Sequence, residues 1–102
     1  SSNLKPAGAN TLTGVAMVLK EYKDTAVNIA GFTDRTGTRS LNMRLSQQRA
    51  DSVSSALILQ GVDSGRLRTQ GMGPDNPVAS NSTEAGKAQN RRVAITLSPR
   101  NS

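Results

Sequence analysis

Apolar and polar positions alternate with different periods along the 102-residue chain, and those periods divide it into elements. Leu12, Val15, Ala16, Leu19 and Tyr22 follow the i, i+3, i+4, i+7 spacing of one helix face. The polar stretch before Pro6 reads as the capped start of that helix, with proline tolerated in its first turn. Asp24-Thr25 ends the pattern, and the apolar run Val27 to Gly31 predicts a buried strand. Thr33 to Ser40 is polar with Gly37 near its centre, a loop signal. A second helix is expected from about Leu41 to Gln60, closed by Gly61 with Val62 folding back as its apolar partner. Arg66 to Gly71 reads as a second strand, and residues 71–90 as a long loop with one helical turn near Glu84 to Gln89. Val93, Ile95 and Leu97 alternate with Ala94, Thr96 and Ser98, so a last strand with one buried face is expected. Residues 1–98 then form one domain and 99–102 a flexible tail.

The order helix–strand–helix–strand–loop–strand places crossover helices on one face of a small mixed sheet. A loop of about twenty residues in so small a domain is functional or flexible. Composition narrows the chemistry. Hydrophobic residues make up 34% and the aromatics are Tyr22 and Phe32 alone, so the core is built from Leu, Val, Ile and Ala. Cysteine and histidine are absent, which excludes disulfides, thiol catalysis, histidine bases and His/Cys metal sites. The formal charge of +6 favours anionic partners. The cations are scattered and aromatics scarce, so nucleic acid is not expected among them.

The second helix carries the one residue that breaks its pattern. At about 100° per residue from Leu41, Leu45, Ala56, Val53 and Leu57 span an arc of about 120° with Arg49 in its middle. Asn42 lies two turns earlier, roughly 10 Å along the axis. A partly buried arginine needs a carboxylate or several acceptors. Asp34 is the nearest acid upstream, just past the end of a buried strand, where ligands gather in open α/β sheets. From pattern alone, Asp34 and Arg49 fit a structural ion pair and a ligand site equally well, and Arg49 could also snorkel to water.

Gly31-Phe32-Thr33-Asp34 with Gly37, then Asn42-x-x-Leu45-Ser46-x-x-Arg49-Ala50-x-x-Val53, resembles the signature of the OmpA-like C-terminal peptidoglycan-binding domain family. The resemblance continues through Gly61, Arg66-Leu67, Gly71-Met72-Gly73, Pro77, Gly86 and Asn90-Arg91-Arg92-Val93, across nearly the whole chain. It implies an α+β fold, a two-layer α/β sandwich of βαβαββ type, whose first strand, preceding the first helix, is not in this sequence. It implies no enzyme and no cofactor, but non-covalent binding of peptidoglycan through the diaminopimelate of its peptide stem. Asp34 matches the aspartate that meets the diaminopimelate and Arg49 the arginine that faces it. Thr36, Leu41 and Asn42 match positions lining the pocket, and Arg91 the first arginine of the Asn-Arg-Arg motif. Many members carry histidine where this chain has Phe32. The implied setting is the periplasm, with the outer membrane reached through a segment upstream.

The diaminopimelate side chain ends in both an ammonium and a carboxylate. Arg49 suits the carboxylate with a bidentate fork, and Asp34 suits the ammonium. The alternative is a structural or oligomerisation module of the same fold, a homodimer through an open sheet edge. Other motifs carry less. Gly71-Met72-Gly73-Pro74 lacks the spacing of a phosphate loop, Asn81-Ser82-Thr83 is a polar loop, and nothing places Ser46, Ser52 or Ser54 beside Lys87.

Overall fold

The structure, a computed structural model, describes residues 6–100, with side chains described from Thr11 onward; the expected cap before Pro6 lies outside these residues. The elements are α1 (Pro6–Glu21), β1 (Thr25–Phe32), α2 (Arg39–Leu59), a 3₁₀ turn (Ser64–Arg66), β2 (Leu67–Gly73), α3 (Glu84–Asn90) and β3 (Val93–Pro99). The sheet has the order β2-β1-β3, with β1 parallel to β2 and antiparallel to β3. The parallel pair requires a crossover, and α2 supplies it. The architecture is α+β, helices layered on a mixed three-stranded sheet.

The core lies between that sheet and the first two helices. Leu12, Ala16 and Leu19 from α1 meet Val27 and Ile29 from β1 and Ala50, Val53 and Leu57 from α2, closed by Val62. Val27 and Ile29 share one face of β1, as the two-residue period demands, so both helices cover the same face. On β2, Leu67 and Thr69 are half-buried while the alternating Arg68 and Gln70 are exposed.

Helix ends follow from local chemistry. Thr38 caps α2, its Oγ1 accepting from Leu41 N at 3.1 Å, so the helix begins at Arg39, ahead of the expected Leu41. At the other end Gly61 takes φ +98°, donates to Ile58 O and lets Val62 donate to Leu57 O at 3.0 Å. Those two bonds close the helix, and only a residue free of Cβ adopts that φ at no cost. Gly31 serves differently: a Cβ there would stand 2.0 Å from the Ser46 carbonyl oxygen. Its bare backbone lets α2 lie directly on β1.

Several expectations change. Tyr22 lies past the end of α1 and is 61% exposed, because the last turn closes at Glu21 and turns the chain outward. Leu97 is 46% exposed; β3 is an outer strand of the described sheet, and its far half is uncovered. The second strand starts at Leu67 and runs to Gly73, which leaves Arg66 in the 3₁₀ turn. The expected twenty-residue loop shrinks to 74–83, because α3 is a full element capped by Thr83. Pro99 and Arg100, expected in a tail, are ordered into the sheet end: Pro99 closes β3, and Arg100 N donates to Asp24 O at 2.6 Å. Arg49 sits at the edge of the buried arc. The buried residues of α2 are Asn42, Ser46, Ala50, Val53 and Leu57, centred about 60° further round the helix than Arg49. Two of the five are polar, and hydropathy alone therefore points to the wrong centre.

Candidate functional site

The carboxyl end of β1 is held from three sides. Phe32 N donates to Arg92 O and Thr33 N donates to Gly73 O, both at 2.8 Å, fixing the strand end between its two neighbours. Asp34 follows at once and is 8% exposed. Its Oδ1 accepts from Thr36 N at 2.8 Å, a local turn closed by the aspartate itself. Its Oδ2 accepts from Arg91 Nη1 at 2.6 Å, an ion pair between residues 57 apart in sequence. Burial pushes the Asp34 carboxyl up, but the Thr36 amide and the Arg91 guanidinium outweigh it and hold it below the ordinary 3.8.

Asn42, 4% exposed on the first turn of α2, donates through Nδ2 to Thr36 O at 2.9 Å and, at a longer 3.5 Å, to Asp34 O. The loop carrying Asp34 is thereby tied to the helix that carries Arg49. Ser46, one turn on, is fully buried; its Oγ donates to Met43 O and accepts from Gly73 N at 2.8 Å. These polar members of the buried face of α2 grip the ends of β1 and β2.

Arg49 is half-buried, and its Nη1 donates to Phe32 O at 3.0 Å. It does not pair with Asp34, whose cationic partner is Arg91. A guanidinium has five N–H donors, so one bond from Nη1 anchors Arg49 and leaves most of its donors unused. Thr36 and Leu41 are exposed at the rim, Leu41 at 46%. The structure thus brings Asp34, Thr36, Asn42 and Arg91 into one bonded group, places Arg49 two residues back along the same strand end, and leaves Leu41 at the margin.

Three contributors were not legible as such in the sequence. Asn90 is fully buried: Oδ1 accepts from Val78 N at 2.8 Å and Ala79 N at 3.0 Å, while Nδ2 donates to Ala79 O and to Asn81 Oδ1. It holds the 74–83 loop against the strand ends; Asn81 Oδ1 in turn accepts from Arg35 N at 3.3 Å. Arg92 lies over the Phe32 ring, 3.7 Å from its centre, and donates to Asn76 O at 2.9 Å. Arg39 makes a two-bond pair with Asp75 at 2.8 and 3.0 Å on the outer rim. The signal for Asn90 was its place before a strand and after a Gly/Pro/Asn-rich loop, since such a loop needs an amide to satisfy its backbone.

No group of acids able to hold a metal ion occurs among the described residues. The arrangement offers an acceptor-only carboxylate at the end of β1, a guanidinium bonded to it and a second guanidinium on Phe32 O, donors and acceptors of both charges.

Comparison with known proteins shows what the chain is similar to. Residues 1–91 match the family described as the OmpA family. The chain is 78% identical over 99 residues to a protein named probable lipoprotein YiaD from Escherichia coli, covering 97% of this chain and 45% of that protein. It is 44% identical over 96 residues to the peptidoglycan-binding protein ArfA of Mycobacterium tuberculosis, covering 94% of this chain and 29% of ArfA. The chain therefore spans less than half the length of these curated relatives. Among solved structures, the peptidoglycan-associated lipoprotein of Burkholderia pseudomallei superposes with a TM-score of 0.92 at 34% identity, over 96% of this chain and 83% of that one.

Proposed function

From the premise that the chain belongs to the OmpA family, we propose that it binds peptidoglycan non-covalently and anchors an envelope component to the wall. The observation that carries this reading is the paired but incompletely used charge at the end of β1. Asp34 receives one bond on each oxygen, from Thr36 N and Arg91, and a carboxylate has about four lone-pair sites, so room remains for an ammonium. Arg49, held by one bond to Phe32 O, keeps its remaining donors for a carboxylate. A ligand presenting both groups on one carbon, as the diaminopimelate head does, meets each with its complement. Asn42 fixes the loop between them, Arg91 sets the orientation of the Asp34 carboxylate, and Thr36 and Leu41 border the ligand. No bond is broken in this process, and no activated nucleophile is needed.

The similarity to proteins named as a peptidoglycan-binding protein and as lipoproteins supports a periplasmic setting, with outer-membrane attachment through a segment upstream of residue 1. No described helix is long and apolar enough to cross a membrane. A second reading, an oligomerisation module, draws on the outer edge of β3, where Val15, Val18, Ile95 and Leu97 line an apolar groove of about 430 Å³.

Retention on isolated diaminopimelate-type sacculi tests the first reading. The purified chain is expected in the pellet, while Asp34→Ala and Arg49→Ala, folded by circular dichroism, stay in the supernatant. Excess free diaminopimelate is expected to release the wild type. Pelleting of both variants at the wild-type level would remove the zwitterion site, and a dimer in sedimentation with no sacculus binding would favour the second reading.

A further inference from the structure

At the other end of the sheet, about 25 Å from Asp34 along an eight-residue strand, the chain holds a second concentration of charge that the wall site does not use. Lys20, Lys23, Arg66 and Arg100 line one cleft of about 560 Å³, together with Gly61 and Asp63. They come from the end of α1, the turn after it, the 3₁₀ turn before β2 and the residue after β3. Four cations face one acid, and none of the four is in an ion pair among the described residues.

The floor of the cleft is built rather than incidental. Arg66 is 6% exposed and donates Nη1 to Leu19 O at 2.7 Å, Nη2 to Tyr22 O at 2.8 Å and to Thr25 Oγ1 at 2.6 Å, and Nε to Thr25 O at 2.9 Å. It thus occupies the open carbonyls at the end of α1, the groups that would otherwise offset the charge of lysines in and after the last turn. Asp63 is engaged as well, its Oδ1 accepting from Gly65 N at 3.2 Å. Lys20 runs across Gly61; a Cβ on that glycine would lie 3.3 Å from its Cδ and 3.8 Å from its Nζ. Lys20, Lys23 and Arg100 are exposed.

We propose that this cleft is an anion site for phosphate groups of the mono- or diester class. The division of donors argues for phosphate. A planar arginine fork grips carboxylate and phosphate alike, but Arg66 has three donors on backbone carbonyls and a fourth on the Thr25 hydroxyl. What remains available is mainly lysine ammonium, a compact point charge suited to a tetrahedral oxyanion. The cleft and the wall site lie at opposite ends of β1, so both can be filled at once. Tyr22, 61% exposed, and Leu59, 88% exposed, stand next to the cleft in sequence and give a lipid headgroup an apolar margin, whereas a soluble phosphate needs none.

Titration of the isotope-labelled chain with pyrophosphate, followed by amide chemical shifts, tests the site. Saturable shifts are expected at Lys20, Lys23, Gly61 and Arg100, and not at Arg35, Arg39 or Arg91. The double variant Lys20→Gln/Lys23→Gln is expected to bind roughly 30-fold more weakly, since each lysine near an anionic surface is worth about 1 kcal/mol. Its sacculus binding and circular dichroism should match the wild type. Co-sedimentation with phosphatidylglycerol/phosphatidylcholine vesicles identifies the source. Vesicle binding lost in the double variant assigns a lipid headgroup, and pyrophosphate binding without vesicle binding assigns a soluble phosphate. Shifts that never saturate, that spread equally over all exposed arginines, or that persist in the double variant overturn the site.

Discussion

The two ends of β1 each carry an arginine at low exposure, and the two are handled in opposite ways. Arg66 at the start of the sheet is buried and bonds four times, entirely to backbone carbonyls and one threonine. Arg49 at the far end is half-buried and bonds once, to Phe32 O, beside an Asp34–Arg91 pair. A buried cation is tolerable when its donors are all met or when a ligand meets them. Arg66 is the first case: its partners are fixed and neutral, and its role is to close α1. Under the proposed wall-binding reading Arg49 is the second, with one bond to Phe32 O and its other donors free for a ligand. Number of donors engaged, rather than burial, separates the structural arginine from the one at the site.

The sharpest way to break this contrast is Arg66→Met. It keeps the stem but removes the guanidinium from the carbonyls of Leu19, Tyr22 and Thr25, of which Tyr22 O keeps only the Thr25 hydroxyl, and a loss of about 3 kcal/mol or more in urea unfolding is expected. A drop below 1 kcal/mol would mean Arg66 is no more structural than Arg49. Next in size is Gly31→Ala, which would bring a methyl to 2.0 Å from Ser46 O. Lifting α2 from β1 is expected to cost about 2 kcal/mol and to weaken sacculus retention, because Arg49 moves with the helix. Arg49→Ala should lower the unfolding free energy by less than about 1 kcal/mol, the value of one partly exposed hydrogen bond. Its effect is expected in wall retention instead, the reverse of Arg66→Met.

Acid titration sharpens the site end. The Asp34 carboxyl is held below its ordinary 3.8 in the fold, so it contributes stability that is complete above that value. That contribution fades as pH falls through the lower folded value. The wild type should therefore lose stability over the window just below pH 3.8, while Asp34→Asn shows a flatter acid limb there. Equal slopes would mean that Arg91 and Thr36 do not stabilise the charged form. Smallest of all, Arg39→Ala removes an exposed pair with Asp75 and is expected to leave the midpoint unchanged, as exposed ion pairs contribute little.

Much of the fold could be read from periodicity because the helix–sheet core is amphipathic in the usual way. Leu12, Ala16 and Leu19 on α1, and Val27 and Ile29 on β1, are buried where their spacing put them. Failures fall where tertiary context overrides local pattern. Tyr22 and Leu97 continue the apolar rhythm of their elements but lie beyond the cover of the opposing layer. Asn42 and Ser46 break the rhythm of α2 yet are buried, because their side chains hold the loop after β1 and the end of β2. Asp34 and Arg49 stood out by position and charge, whereas the partner of Asp34 is Arg91, 57 residues away, and no spacing rule links them.

What the sequence by itself determined is the element order, the apolar members of the core and the two residues whose charge is out of keeping with their surroundings. Those follow from short-range rules: spacing along a helix or strand, caps such as Thr38 and Gly61, and the cost of leaving a charge unmet. The tertiary structure alone decided which charges meet. Pairing β3 with β1 brings Arg91 to Asp34, and the 3₁₀ turn leading into β2 carries Arg66 under the end of α1. Contacts of that kind depend on strand order and register, which are properties of the assembled sheet and of no single segment.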